Sequence, residues 1–205
     1  FVDAPPPPAG PRAGFLFVGR LSVEKGIATL AQAARMASVE ASGAVLRVAG
    51  DGPAAAMLDG APGVTRLGAL PPHVVRGEME RAAALVVPSV WYENFPRTIV
   101  EAFAAGLPVI ASRIGALASI VSHGDTGLLF EPGNAHDLAR TLADAAARPQ
   151  ELAAMGQRAR ARYEAEFSAD VNYRALVDIY GEAAAQHARD TATAADAPSK
   201  RGAAR

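Results

Sequence analysis

Six short apolar runs, separated by alanine-rich or turn-forming stretches, constrain the fold of this chain most strongly. Each run is almost continuously hydrophobic, which is typical of strands buried on both faces of a parallel sheet. The intervening stretches predict connecting helices, so we expect an α/β fold: a doubly wound, Rossmann-like parallel sheet of about six strands. The predicted strands are Phe15–Val18, Val45–Ala49, Val64–Leu67, Leu85–Val87, Val109–Ala111 and Leu128–Phe130.

Capping and proline signals place the helices. One helix is predicted to open at Ser22 or Glu24 and to run to about Ala37. Pro71–Pro72 opens another, and Pro96 fits the first position of a third, where the missing N–H of proline costs nothing. The three later helices are predicted over 134–147, 150–166 and 168–185, the first with Asn134 as its N-cap.

The composition of the two ends divides the 205 residues into three parts. Residues 1–14 are rich in proline and glycine, which predicts a stiff interdomain linker. Residues 15–185 have the length and apolar content of one domain. Residues 186–205 lack hydrophobic periodicity, which predicts a disordered tail.

Composition also narrows the class of partner. The formal net charge is only −1 and cysteine is absent, so nucleic acid and anionic membrane are excluded as main partners, and disulfides and thiolate metal sites cannot form. No apolar run approaches the ~20 residues needed to span a bilayer, and a cytoplasmic location is expected. No metal is predicted, because no histidine is spaced with a second ligand; the four are His73, His123, His136 and His187.

Two cations follow the first predicted strand. Because the carboxyl ends of parallel strands face the ligand crevice, Arg20 and Lys25 are expected at its mouth. Arginine offers a planar fork and lysine a mobile point charge, a combination that could clamp a diphosphate. The alternative is a solvated turn with a Glu24–Lys25 surface pair.

Two carboxylates, Glu93 and Glu101, bracket the start of the helix that follows the fourth strand. Free backbone N–H groups there can bind anionic or hydroxyl oxygens, and Glu93 could accept from sugar hydroxyls. Glu101, further along the helix, could accept from both hydroxyls of a ribose. The alternatives are an Arg97–Glu101 surface pair and a role of Glu93 as an acid placed for the helix dipole.

Glycines mark two more turns. Gly50-Asp51-Gly52 follows the second strand and not the first, and Pro53 interrupts it, so a dinucleotide fingerprint is disfavoured and a turn lining a nucleotide pocket is preferred. Gly115 could bring backbone N–H groups close to a phosphate, or form a plain tight turn.

Taken in order, these motifs resemble those of one family. They are Gly19-Arg20-Leu21, Lys25-Gly26, Ala49 to Pro53, Pro88-Ser89, Glu93 and Glu101 with seven residues between, Gly106 to Ser112, Gly115 and Thr126 to Phe130. The set is similar to the C-terminal, donor-binding half of GT-B-fold glycosyltransferases of the family 4, or group 1, type.

The resemblance implies a retaining glycosyltransferase that takes a sugar from a nucleotide-sugar donor and needs no metal or other cofactor. Arg20 and Lys25 would contact the diphosphate, Glu93 the donor sugar and Glu101 the ribose. The implied catalytic residues are Glu93, Arg20 and Lys25, and the implied donor-binding residues are Arg20, Lys25, Gly50, Gly52, Asn94, Phe95, Pro96 and Glu101. The base would be read near Arg66 to Leu70.

The resemblance also implies a missing N-terminal half that supplies the acceptor site, against which the helix after Ser168 would pack. This chain alone is then expected to be inactive, with any peripheral membrane association made through that half. The acceptor would be a glycan, lipid or small molecule, with cell-envelope polysaccharide synthesis as the expected setting. Asn94 and Pro96 stand where glycines are common, and Ser119 stands where an acid is usual.

Three alternatives to a transferase remain open: a non-catalytic nucleotide-sugar-binding module, a GT-B nucleotide-sugar epimerase, and a nicotinamide dehydrogenase. The last is disfavoured by the position of the glycine motif.

Overall fold

The structure, a computed structural model, describes residue 10, residues 12–36 and residues 42–195. Six parallel strands form one sheet in the order β3-β2-β1-β4-β5-β6. The predicted six-stranded α/β fold is confirmed, with strand ends shifted by no more than one residue. The strands are β1 Phe15–Val18, β2 Leu46–Ala49, β3 Val64–Gly68, β4 Ala84–Val87, β5 Val109–Ser112 and β6 Gly127–Phe130.

The strand order reverses between β1 and β4, which lie side by side with Phe15 opposite Ala84 and Leu16 opposite Leu85. Chain connections therefore leave this point toward opposite edges of the sheet. In open α/β sheets such a switch point leaves a crevice at the carboxyl ends of the strands, where ligands bind. The loops after β1 and β4 line that crevice.

Helices cover both faces of the sheet, because alternate strand residues point to opposite sides. Phe15 and Phe17 join one buried cluster, and Leu16 joins the other. The helices are α1 Ile27–Ala34, α2 Pro72–Arg81, α3 Arg97–Ala104, α4 Gly115–Ile120, α5 Ala135–Ala146, α6 Pro149–Arg162 and α7 Ala169–Ala195, with a 3₁₀ turn at Ala55–Leu58 and a π-helical turn at Tyr163–Phe167.

Two predicted helix starts are too early, the first by three to five residues and the second by one. The first helix begins at Ile27 and not at Ser22 or Glu24, because Gly26 has φ 72°, a left-handed conformation that a helix cannot contain. The helix after β4 begins at Arg97 because Pro96, with ψ 83°, is the N-cap and not the first helical residue. Asn134 is an N-cap as predicted: its side chain accepts from the N–H of Asp137 at 3.0 Å.

A disordered tail was predicted from residue 186, but residues 186–195 are helical and α7 ends only at Ala195. Alanine is the strongest helix former, and the alanine-rich sequence of this segment continues the helix without an apolar stripe. Residues 196–205, like most of the predicted linker, lie outside the described residues. Of the linker, Arg12 donates to the carbonyls of Ala105 and Gly106 at 2.7 and 3.0 Å, which attaches it to the end of α3.

No helix in the described ranges is both long and apolar enough to cross a membrane.

Candidate functional site

The loops after β1 and β4 are packed backbone to backbone at the switch point. A Cβ on Gly26 would lie 1.8 Å from the carbonyl oxygen of Pro88, so only glycine fits there. The N–H of Val90 donates to the carbonyl of Glu24 at 3.0 Å, which joins the same two loops a second time. These two backbone contacts hold the loops in place and so determine the positions of their side chains.

Lys25 and Glu93, one from each loop, meet in the crevice. The Nζ of Lys25 lies 2.6 Å from Oε1 of Glu93, and the two side chains are 32% and 17% exposed. The predicted alternative, a surface pair between Lys25 and Glu24, is not formed among the described residues. The structure therefore brings together two of the three residues that the sequence analysis assigned to catalysis.

Ser89 is a site residue that the sequence analysis did not assign. Its hydroxyl donates to the same Oε1 of Glu93 at 2.6 Å, and the residue is 1% exposed. Oε2 of Glu93 has no hydrogen-bond partner within the described ranges. The Pro88-Ser89 pair at the end of β4 was the available signal, but sequence spacing does not reveal that the hydroxyl turns back onto Glu93.

Arg20, the third residue assigned to catalysis, lies exposed just after β1. No hydrogen bond or ion pair of its guanidinium is found in the part of the chain that the structure describes. Its five N–H donors are therefore available to an anion at the mouth of the crevice.

Glu101 lies on α3, and its side chain is 24% exposed. Burial raises its pKa above the usual value, and the positive charge of Arg97 opposes this rise less strongly. The predicted Arg97–Glu101 pair is present at 3.8 Å, beyond hydrogen-bond distance, and Arg97 is 77% exposed. Among the described residues Glu101 is thus a partly desolvated carboxylate without a close donor, which favours accepting from a ligand.

Gly50 and Gly52 have a packing role. A Cβ on Gly50 would lie 1.8 Å from the carbonyl oxygen of Gly19, and one on Gly52 would lie 2.4 Å from that of Leu21. The N–H of Leu21 donates to the carbonyl of Asp51 at 2.9 Å. The loop after β2 therefore supports the loop that carries Arg20 and Lys25. Direct contact of either glycine with a nucleotide stays a prediction.

The segment from Trp91 to Phe95 forms an aromatic rim beside Glu93. Trp91, Tyr92 and Phe95 are 69%, 75% and 55% exposed. A Cβ on Gly115 would lie 2.7 Å from the ring of Tyr92, so this ring covers the start of α4. Asn94 is exposed and Pro96 is buried; contact of the segment from Asn94 to Pro96 with a ligand stays a prediction.

Two of the remaining predicted residues, Arg66 and Ser119, make local contacts. Arg66 is within β3 and pairs with Asp59 at 2.9 Å, so the loop after β3 begins later than predicted, after Gly68. Ser119 donates back to the carbonyl of Gly115 at 3.3 Å. Across the described ranges, no three histidine, aspartate or glutamate side chains are grouped to hold a metal ion.

Comparison with known proteins gives a family match over residues 5–162, to the family described as Glycosyl transferases group 1. The D-inositol 3-phosphate glycosyltransferase of Streptomyces avermitilis is 38% identical over 109 residues, which are 53% of this chain and 23% of that protein. Among solved structures, sucrose-phosphate synthase from Thermosynechococcus elongatus aligns with a TM-score of 0.72 and 29% identity, covering 85% of this chain and 46% of that one.

A second solved structure, Anabaena Alr3699/HepE in complex with UDP, aligns with a TM-score of 0.66 and 23% identity, covering 83% of this chain and 49% of that one. The chain thus spans about half the length of these solved structures and about a quarter of the curated relative. Its parallel six-stranded sheet agrees with the Rossmann-like GT-B fold of these neighbours. The chain belongs to the glycosyl transferases group 1 family.

Proposed function

We propose that this chain is the C-terminal, donor-binding half of a retaining glycosyltransferase of the family 4 type. It would hold a nucleotide sugar at the switch point while the sugar passes to an acceptor hydroxyl. The observation that carries the proposal is the meeting of Lys25 and Glu93 between β1 and β4, with Arg20 at the same edge and no ion pair of its guanidinium among the described residues. A cation pair beside a carboxylate suits a ligand with a diphosphate next to a polyol.

The diphosphate is assigned to Arg20 and Lys25. When the bond between the anomeric carbon and the phosphate oxygen breaks, negative charge develops on the leaving diphosphate. Cations held in a partly desolvated crevice stabilise that charge without reorganising at the moment of reaction. We propose that these side chains suffice and that no metal is required.

The sugar and the ribose are assigned to the two carboxylates. Oε2 of Glu93 can accept from a sugar hydroxyl, because it has no hydrogen-bond partner within the described ranges and Ser89 holds Glu93 through Oε1. Glu101 can accept from both hydroxyls of a ribose, since it is partly desolvated and has no close donor in the part of the chain that the structure describes. The structure of Alr3699/HepE holds UDP, which supports a nucleotide ligand here.

We propose that transfer takes place on the face of the sugar that the diphosphate leaves. The acceptor oxygen bonds to the anomeric carbon, the phosphate oxygen departs with the bonding electrons, and it takes the proton of the acceptor hydroxyl. No side-chain nucleophile is then needed, and the anomeric configuration is retained.

We propose that a further domain supplies the acceptor site and covers α7. Four apolar residues of this helix form a stripe at helical spacing and are 48% to 69% exposed: Tyr173, Leu176, Val177 and Tyr180. Exposed stripes of this kind mark packing surfaces. A cytoplasmic location and a role in cell-envelope polysaccharide synthesis stay predictions.

The test is a transfer assay on the full-length protein with UDP-, GDP- and ADP-sugars, following release of nucleoside diphosphate and the anomeric proton by NMR. We expect a product with the configuration of the donor, and a rate lowered at least about 100-fold by Lys25→Met. A product of opposite configuration contradicts the retaining mechanism. Donor binding without any transfer favours a binding module, and an epimerised donor without acceptor favours an epimerase.

A further inference from the structure

We propose that Glu93 makes the site discriminate against its own product, by competing with a nucleoside diphosphate for Lys25. The inference rests on the proposed function, in which the product that remains after transfer is a diphosphate without its sugar. It concerns how that product is released.

The competition follows from the pairing of Lys25. This ammonium is the cation expected on the diphosphate, yet in the structure it lies 2.6 Å from Oε1 of Glu93. A diphosphate that recruits Lys25 must therefore draw it from a carboxylate that is only 17% exposed. Separating one partner of a poorly solvated ion pair leaves the other charge without compensation, and this cost lowers the affinity for the diphosphate.

Ser89 determines what Glu93 does once Lys25 has left. Its buried hydroxyl holds Oε1 at 2.6 Å from a segment that is packed against the loop of Gly26. Glu93 therefore stays in place while the longer, more exposed Lys25 side chain moves. With a nucleotide sugar, the sugar hydroxyls donate to Glu93 and replace the lost ammonium. With the diphosphate alone, nothing replaces it.

The two ligands thus meet the same residue with opposite consequences. Glu93 favours the donor, because it accepts from the sugar, and disfavours the product, because it holds back Lys25. Removing the carboxylate is therefore expected to tighten binding of the diphosphate, although Glu93 lines the donor site.

The test is calorimetric titration of this chain with UDP, GDP and ADP, using whichever of them binds. We expect Glu93→Gln, which keeps the volume and can still accept from Ser89, to lower the Kd by about tenfold (about 1.4 kcal/mol). Glu93→Asp keeps the charge but shortens the reach to Lys25, and it should also tighten binding. Thermal unfolding of each variant verifies that it is folded.

Two controls separate competition for Lys25 from a general field effect. Glu24→Gln removes a carboxylate next to Lys25 in sequence that forms no ion pair within the described ranges, and it should change the Kd by less than about twofold. In a protein that already carries Lys25→Met, Glu93→Gln should not lower the Kd of the nucleoside diphosphate any further.

The outcomes are distinct. Failure of all three nucleotides to bind the unsubstituted chain overturns the proposed function and this inference with it. Binding that Glu93→Gln leaves unchanged or weakens overturns the inference alone. The same holds for tightening that persists in the Lys25→Met background or is matched by Glu24→Gln.

Discussion

Lys25 and Glu93 are 68 positions apart in the sequence, and their charged groups lie 2.6 Å apart. The pair exists because β1 and β4 are neighbours in the sheet although they are not neighbours in the chain. Its position at the point of strand reversal places a cation and a carboxylate where α/β domains bind their ligands.

Glu101→Gln should stabilise the fold at neutral pH. Burial raises the pKa of Glu101 in the folded state above its unfolded value, so the charged form destabilises the fold above that raised pKa, and the penalty disappears as the pH falls through it. Urea unfolding at several pH values should show a higher free energy of unfolding for Glu101→Gln at pH 7, and this difference from the unsubstituted protein should shrink toward pH 4. The same variant should bind nucleoside diphosphates more weakly. A variant that is destabilised at pH 7 contradicts the burial argument.

Ser89→Ala should separate sugar recognition from diphosphate recognition. It removes the buried donor that holds Oε1 of Glu93 but leaves Arg20 and Lys25 in place. In the transfer assay proposed above we expect the rate to fall by about 10- to 100-fold, as for loss of a hydrogen bond to a charged group. Binding of the diphosphate should not weaken by more than about threefold, because both cations remain in place.

Cysteine has a volume similar to that of serine and is a weaker donor. The transfer rate of Ser89→Cys should therefore lie between those of Ser89→Ala and the unsubstituted protein. An equal loss of diphosphate and donor binding in Ser89→Ala would mean that Ser89 supports the fold and does not position Glu93.

Gly26→Ala should destabilise the protein far more than Gly60→Ala. Both glycines have similar positive φ values, 72° and 67°, so both substitutions carry a left-handed penalty of about 1 kcal/mol. Only at Gly26 does the added Cβ meet backbone, the carbonyl oxygen of Pro88 at 1.8 Å, whereas Gly60 faces open space. We expect at least about 2 kcal/mol more loss at Gly26, measured by urea unfolding. Equal losses would show that the two loops are not packed as described.

Asp137 and Asn134 stabilise the start of α5 with different pH dependence. Asp137 accepts from the N–H of Glu131 at 2.8 Å, and this bond is the main cause of its lowered pKa, with Arg140 contributing less. Because the folded pKa lies below the unfolded value, its stabilisation is present at neutral pH and is lost as the pH falls through the folded pKa. Asp137→Asn should therefore destabilise at pH 7 and have less effect near pH 3.

Asn134→Ala is the matched control, since its capping amide does not titrate. Asn134→Ala should lower the free energy of unfolding by about 1 kcal/mol at both pH values and leave nucleotide binding unchanged. An Asp137→Asn effect that is the same at both pH values contradicts the assignment.

The sequence predicted the sheet closely, because hydrophobic burial decides each strand locally. A continuous apolar run such as Leu85 to Val87, with helices on either side of it in the chain, is typical of a strand buried on both faces of a parallel sheet. Helix starts were predicted less well, because they depend on tertiary contacts. The first helix cannot begin before Ile27, because Gly26 has a left-handed conformation and is packed against Pro88. The extent of α7 was missed because alanine-rich sequence lacks an apolar stripe yet still favours helix.

That the candidate site residues bind a ligand stays a prediction, and their arrangement was predicted from the sequence only in part. That Arg20, Lys25 and Glu93 gather at one edge follows from parallel topology, which the sequence indicated. That Lys25 pairs with Glu93 and not with Glu24, and that Ser89 holds the same oxygen, depends on side-chain directions across two loops. No periodicity or spacing in the sequence encodes those directions.

The central claim is that the crevice between β1 and β4 binds the nucleoside diphosphate of a sugar donor. The most direct measurement is calorimetric titration of this chain with UDP, GDP and ADP, repeated on Arg20→Gln, Lys25→Met and Glu101→Ala. We predict that at least one nucleotide binds, and that each substitution weakens it by about tenfold or more. Absence of binding, or binding that none of the three substitutions changes, would contradict the account.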